Sequence, residues 1–315
     1  MGKNAGGASA RVRRRFLRGL VLISAIAWTM IVTAGQKQSP TCRECSEWNQ
    51  PQAPFRIFGN SYYVGTHALS SVLITSPSGH VLIDGDLPES VPQIVSHIRS
   101  LGFRIEDVKV IVNSHVHFDH AGGIAKLQKL SGARVMASEW SAAVMRRGGV
   151  GKDDPQYGSI RPIARIANVH VLHDGDSFTV GGVVMAAHLT AGHTPGGTSW
   201  TWRSCEGETC RSMVYADSLS AVSANGFRFT SNREYAGALK DFEKSFAFLE
   251  TTPCDVLITA HPEMSRLWER LDSRGRGVVP DPMVDSNACR ELAGQARERL
   301  AERVAQERTQ SGKNE

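Results

Sequence analysis

At 315 residues the chain has length for one large domain or two ordinary ones. Its formal net charge of +5 resides in the first 34 residues, where Lys3, Arg11, Arg13, Arg14, Arg15 and Arg18 stand without an acid. Without those six, 30 basic residues face 31 acidic ones, so the charge gives no ground for a nucleic-acid partner or an anionic membrane surface.

The basic head runs into an apolar stretch, 19–34, broken only by Ser24, Thr29 and Thr33 and closing on Val32-Thr33-Ala34. Small residues at that end suit a signal peptidase, so 1–34 reads as a secretory leader. A retained membrane anchor is the rival, but sixteen residues are short for a span that needs ~20. Arg13-Arg14-Arg15-Phe16-Leu17-Arg18 is similar to a twin-arginine signal, although an ordinary basic segment reads the same way. The expectation is a periplasmic protein with no membrane partner once the leader is cleaved.

Residues 35–50 are polar and form an N-terminal arm; 51–308 are expected to be one domain. Strands are predicted at 55–58, 62–64, 70–75 and 81–83, the last ending in Asp84-Gly85-Asp86. The stretch 88–101 reads as a helix with Val91, Ile94, Ile98 and Leu101 on one face. A buried strand follows at 108–112, then a helix marked by Ile124, Leu127 and Leu130. A strand at 134–137 and a helix at 139–147 precede a long Gly/Pro/polar loop, 148–166, of a length that is often functional. Its Gln156 and Tyr157 are expected to wall one side of a groove. Further strands are predicted at 169–172, 177–180, 183–190, 198–203, 213–216 and 256–259, with helices at 233–250 and 287–308. Strand-rich runs separated by helices in each half, with no internal repeat, imply an α+β fold: an αββα sandwich of two packed β-sheets flanked by helices.

The chemistry concentrates in His115-Val116-His117-Phe118-Asp119-His120, directly after an apolar run. On extended chain, side chains two apart point the same way, so His115 and His117 can close on one ion. Asp119 and His120 reach a neighbouring position as the chain turns into a helix. Imidazole and carboxylate together are zinc ligands. His193, in Gly192-His193-Thr194-Pro195-Gly196-Gly197, and His261, just past an apolar strand, would complete two sites: His115, His117 and His193 for one ion, Asp119, His120 and His261 for the other. A lone histidine is more often structural, but a histidine cluster needs completing ligands. His67, His80, His97, His170, His173 and His188 lack that support; His188 reads as packing, and His67 stays unassigned.

Six cysteines fit an exported chain. Cys205 and Cys210 bracket Glu206-Gly207-Glu208-Thr209 and could close a hairpin; Cys254 and Cys289 could join across the C-terminal region. Cys42 and Cys45 lack the second Cys pair of a zinc knuckle and the strand-to-helix setting of a redox motif, and their pairing stays open.

Together these residues resemble the metallo-β-lactamase superfamily over roughly residues 50–300. The His-x-His-x-Asp-His motif is specific for the superfamily and shared by thioesterases, lactonases, nucleases and sulfatases. The narrower likeness is to the third subclass of zinc β-lactamases. It rests on Tyr215-Ala216-Asp217-Ser218-Leu219-Ser220-Ala221, on the segment from Gly192 to Trp202, and on Gly59-Asn60 with Tyr63-Val64-Gly65-Thr66. The resemblance implies the same two-zinc ligand set, the two disulfides above, and a serine where other subclasses carry a cysteine ligand. It also implies Asp217 behind the ligands, although in thioesterase relatives that aspartate bridges both metals, and the sequence does not choose. Some relatives tie the arm by a disulfide to the loop near position 67, which is His67 here.

The expected activity is zinc-dependent hydrolysis of the β-lactam amide of penicillins, cephalosporins and carbapenems, conferring antibiotic resistance. A hydroxide held between two zinc ions would attack, oriented by Asp119, without a covalent enzyme intermediate. Ser218, Ser220 and Gln156 are expected to bind the substrate. The chain is expected to act as a monomer on a small molecule. Another exported hydrolase of the same fold, a lactonase or thioesterase, is the alternative, and a non-enzymatic zinc-binding protein is the remote one. Export and disulfides argue against glutathione thioesters, a cytosolic pool.

Overall fold

A computed structural model describes residues 42–311, all within one compact unit spanning Ser39–Glu315. The leader expected over 1–34, and the arm up to residue 41, lie outside the described residues. Among the described residues no helix is long and apolar enough to cross a membrane.

Two sheets form the centre. The first holds seven strands in sequential order: β1 (Phe55–Phe58), β2 (Ser61–Tyr63), β3 (Val72–Ile74), β4 (His80–Ile83), β5 (Val108–Val112), β6 (Arg134–Ser138) and β7 (Val169–Leu172). Pairing is antiparallel from β1 to β4 and parallel from β4 to β7. The second holds β8 (Ser177–Val180), β9 (Val183–Leu189), β10 (Thr198–Glu206), β11 (Thr209–Ala216) and β12 (Val256–Thr259), in the order β12-β11-β10-β9-β8. Only β11 and β12 pair in parallel there.

Strand periodicity sorts the core. Val110 and Val112 of β5 join Trp200, Met213, Tyr215 and Ile258 between the sheets. Ile111, on the opposite face, and Val108, displaced by the irregular register between β4 and β5, join Ile94, Ile98 and Leu127 under the outer helices α2 (Val91–Ser100) and α4 (Ile124–Ser131). A strand buried on both faces reads as an unbroken apolar run. The second sheet is covered on its outer face by α6 (Ala238–Thr251) and α8 (Ala288–Ser311), through Phe242, Phe246, Leu292 and Leu300. The αββα sandwich expected from the sequence is therefore the fold. The remaining helices are α1 (Cys45–Trp48), α3 (Phe118–Ala121), α5 (Glu139–Arg147) and α7 (Leu267–Gly275).

Several details differ from expectation. Helix α6 starts at Ala238 rather than 233, because the preceding chain turns: Asn232 Oδ1 accepts from the Tyr235 amide at 2.8 Å. An asparagine side chain bonding the backbone competes with helix there. Helix α2 starts at Val91 rather than 88, with Pro92 in its first turn, where no amide is needed. Leu130, one of the three apolar residues that mark α4 in the sequence, is 45% exposed while Ile124 and Leu127 are buried. Helix α7 was not expected; it buries only Leu267 fully and is fastened by Arg274, which bonds Asp281 and the carbonyls of Arg56 and Ile57.

All six cysteines are paired: Cys42–Cys45, Cys205–Cys210 and Cys254–Cys289. The second and third match the expectation, and the first settles the pairing that the sequence left open.

Glu307 of α8 clamps the loop before α6. Its carboxylate accepts from the Phe229 and Thr230 amides, the Thr230 hydroxyl and Arg303 Nε. Burial alone would raise this carboxyl, but those donors outweigh it and hold the group below the usual glutamate range. A depressed folded-state pKa contributes stability above the unfolded value, and that stability fades as pH falls through the folded one. Glu307→Gln is expected to lower unfolding free energy by about 2–3 kcal/mol at neutral pH. The deficit should shrink in acid, as urea titrations at pH 7 and pH 4 would read; an equal deficit at both contradicts the carboxylate clamp.

Candidate metal centre

The functional side chains gather at the ends of central strands. Strand β5 ends at Val112 and delivers His115 and His117 on extended backbone; His117 then caps α3, which carries Asp119 and His120. The turn between β9 and β10 carries His193, β11 is followed by Asp217, and β12 by His261. Loops fixed by a rigid sheet hold catalytic groups in this manner.

The turn bearing His193 depends on two glycines. A Cβ on Gly192, at φ +137°, would stand 2.6 Å from the Phe242 ring, and one on Gly197 would stand 2.3 Å from Asp217 Oδ2. Real side chains do not make such approaches, so both residues must be glycine for the turn to pack this closely.

The candidate ligands converge. One ligating atom each from His115, His117 and His193 lies within 4.8 Å of the others, and the same holds for His115, Asp119 and His120. His261 adjoins the second group: its Nε2 lies 3.2 Å from His120 Nε2 and 3.5 Å from Asp119 Oδ2. The sequence placed these six residues together, and the structure brings them together.

The opposite ring nitrogens are held from behind. His115 Nδ1 donates to Asp217 Oδ1 at 2.6 Å, His117 Nε2 lies 3.1 Å from Asp154 Oδ2, and His193 Nδ1 donates to the Ser220 carbonyl at 2.8 Å. His261 Nδ1 faces the Ala68 carbonyl at 3.2 Å, and His120 Nδ1 lies 3.8 Å from Asp84 Oδ2. Asp84 itself accepts from the Ser114 amide and hydroxyl and from Tyr215 OH, each at 2.7 Å. Metal-binding histidines characteristically donate their outer N–H to such acceptors, which fixes tautomer and ring orientation.

Protonation favours ligation. Burial, with the neighbouring histidines, holds His115 well below the usual imidazole range and lowers His193 to about 3. Both rings are then neutral at physiological pH and offer a lone pair. Burial would raise Asp119, but His120 and His261 outweigh it and keep it ionised. Neutral His115 and His193, an ionised Asp119 and two imidazole nitrogens meeting 3.2 Å apart fit divalent cations. The donor set, nitrogen with one carboxylate, suits zinc rather than magnesium or calcium.

Asp217 is resolved by these contacts. It stands behind His115 and belongs to neither converging group. Of the expected substrate contacts, Ser218 is half-buried beside Asp217, and Gln156 places Nε2 3.3 Å from His117 Nδ1 and 3.5 Å from His193 Nε2. Ser220 has a task the sequence did not signal, since its carbonyl and its hydroxyl, the latter at 3.2 Å, both meet His193 Nδ1. Tyr157 on the same loop as Gln156 is 47% exposed. His188 is packing, as expected: it stacks on Phe248 and meets the Thr201 hydroxyl. His67 stacks on Trp268 and, with Trp48 and His261, lines a cavity of about 580 Å³.

Sequence reasoning missed Asp84, Asp154 and Trp48. An aspartate closing a strand was the available signal for Asp84. For Asp154 and Trp48 no spacing rule existed.

Known proteins are similar to this chain in sequence and fold. The family model for the metallo-beta-lactamase superfamily matches residues 64–206. The solved Rm3 metallo-beta-lactamase is 55% identical, with a TM-score of 0.83, over 85% of this chain and 100% of that one.

The chain belongs to the metallo-beta-lactamase superfamily. Within it the likeness extends to MEM-A1, a subclass B3 metallo-beta-lactamase isolated from a soil metagenome library: 49% identity, TM-score 0.81, 84% of this chain and 99% of that one. A curated hydroxyacylglutathione hydrolase of Rhodopseudomonas palustris (strain BisB5) is 26% identical over 151 residues, a match spanning about half, 48%, of that relative's length. The superfamily fold and the hydrolase class are thus common to all three, and the resemblance to the third subclass read from the sequence stands.

Proposed function

We propose that this chain is a dinuclear zinc hydrolase that opens the amide of β-lactams, including carbapenems, and so confers resistance to them. The observation that carries the reading is the convergence of His115, His117 and His193 beside Asp119, His120 and His261, with the outer nitrogens of His115, His117, His193 and His261 each facing an acceptor. Likeness of 55% and 49% to two named metallo-beta-lactamases supports it.

His115, His117 and His193 would hold one ion, and Asp119, His120 and His261 the other. Zinc supplies there a Lewis acid for the carbonyl and a bound water of pKa ~7. Asp119 would orient the attacking water through its carboxylate and pass its proton to the lactam nitrogen as the C–N bond breaks. Asp217 and Asp154 keep the His115 and His117 rings fixed, so no reorganisation is needed as charge develops. The hydroxyls of Ser218 and Ser220 contact the substrate carboxylate, and the Gln156 amide donates from the loop side. Trp48, whose ring lies 5.9 Å from that of His261, shields the second ion from bulk solvent. The export segment at 1–34, periplasmic residence and a monomeric state belong to the same proposal.

Mature protein with zinc is expected to hydrolyse a carbapenem and a cephalosporin, and a chelator should abolish both activities. Turnover that survives complete zinc removal contradicts the reading. The glutathione thioester suggested by the curated relative, run in parallel with a lactone, tests the alternative; turnover of either far above that of β-lactams would displace the proposal.

A further inference from the structure

We infer that Asp154 is a positioning residue that couples the three-histidine site to the loop bearing Gln156; the inference rests on the metal-centre reading above. Among residues 149–162 only Asp154 and Pro155 are buried, in a stretch otherwise half-buried or exposed and free of helix and strand. A fully buried carboxylate requires partners. Asp154 finds two. Both its oxygens face His117 Nε2, at 3.1 and 3.3 Å, and Oδ1 also accepts from the Gln156 amide at 2.7 Å.

One carboxylate therefore does two things at once. It fixes the proton on His117 Nε2, which leaves the Nδ1 lone pair facing His115 and His193. It also bends the chain so that the Gln156 side chain arrives 3.3 Å from that same Nδ1. The turn is tied again on its far side, where the Ala224 amide donates to the Pro155 carbonyl. The segments carrying Gln156 and Ser220 thus share one anchor, and its charge stands directly behind a ligand. Neighbouring Asp153 serves differently: it accepts from Trp140 Nε1 and touches no ligand.

The test measures zinc retention, which does not depend on any choice of substrate. Zinc-loaded parent, Asp154→Ala, Asp154→Asn and Asp153→Ala proteins are titrated with a chromophoric chelator, with near-UV circular dichroism as the check on fold. Asp154→Ala is expected to weaken zinc affinity about 10- to 100-fold. Asp154→Asn, which can still accept from the Gln156 amide, should also weaken it but less, and it decides the matter if the alanine variant does not fold. In the zinc-free proteins, nitrogen chemical shifts of His117 should show the Nε2–H form in the parent and a tautomer mixture in Asp154→Asn. Affinities for both Asp154 variants within about threefold of the parent overturn the inference, as does an equal loss in Asp153→Ala, which would signify general loosening of the loop. A parent that binds zinc, responds in this pattern and yet opens no β-lactam leaves the coupling intact while refuting the proposed substrate.

Discussion

Asp119→Asn is expected to reduce kcat toward a carbapenem by about 10²- to 10⁴-fold, the usual contribution of a positioned proton-transfer group. The change is nearly isosteric and the site is closely packed, with Asp119 only 6% exposed, so the fold should be kept. What disappears is charge. The carboxylate oxygen 3.2 Å from His120 Nε2 and 3.5 Å from His261 Nε2 becomes an amide, which neither takes a proton nor draws a cation to the His120–His261 side. Two readouts should move together: kcat falls, and zinc content drops from two ions toward one. Because the His115–His117–His193 group is untouched, substrate binding through that side should survive, leaving KM less affected than kcat. Steady-state kinetics with metal analysis checks this. Unaltered kcat in a variant with normal circular dichroism rules out Asp119 as the group that orients the attacking water.

Replacing Cys254 and Cys289 together by serine is expected to cost about 4 kcal/mol of stability, from the loop-closure entropy of a cross-link of this span. The bridge closes 35 residues and joins the chain entering β12 to the start of α8. Both sulfurs are buried, with the residues 7% and 1% exposed, within the cluster that seats α6 and α8 on the second sheet. The other two bridges span 3 and 5 residues and should contribute less by the same argument. Urea unfolding of the C254S/C289S and C205S/C210S proteins gives the comparison. A loss in the first that is no larger than in the second contradicts the entropic account. Since β12 leads directly into His261, the first variant should also lose zinc more readily than the second.

Much of this molecule was legible in its sequence, for reasons that particular residues make plain. Val108–Val112 announces a strand buried on both sides because four of its five residues are apolar and buried, with only Lys109 near its start exposed. The histidine cluster announces itself because its first four members are local, and His193 and His261 follow strands in the same manner. The acceptors behind them were hidden. His115 and Asp217 are separated by 102 positions, and His117 and Asp154 by 37, and no periodicity links such pairs. Asp217 was recognised as a residue while its side-chain direction was not, since its carboxylate lies against Gly197 and His115, both distant in sequence, and such contacts leave no local trace. Helix α7 escaped notice because it is held by Arg274 reaching to β1 carbonyls and Asp281 rather than by an apolar face.

The acceptors behind the five candidate histidine ligands come from the 66–70 turn, the chain after β4, the 148–168 loop and the stretch after β11. Those segments meet only when both layers of the sandwich have assembled, so the unfolded chain offers an ion no comparable nest. Ion capture at the proposed centre and folding would consequently be one coupled equilibrium. Each tenfold excess of free zinc over its dissociation constant should add about 1.4 kcal/mol to the resistance of the whole chain to unfolding. Scarcity of that ion would be felt as fragility of the protein as well as loss of its chemistry.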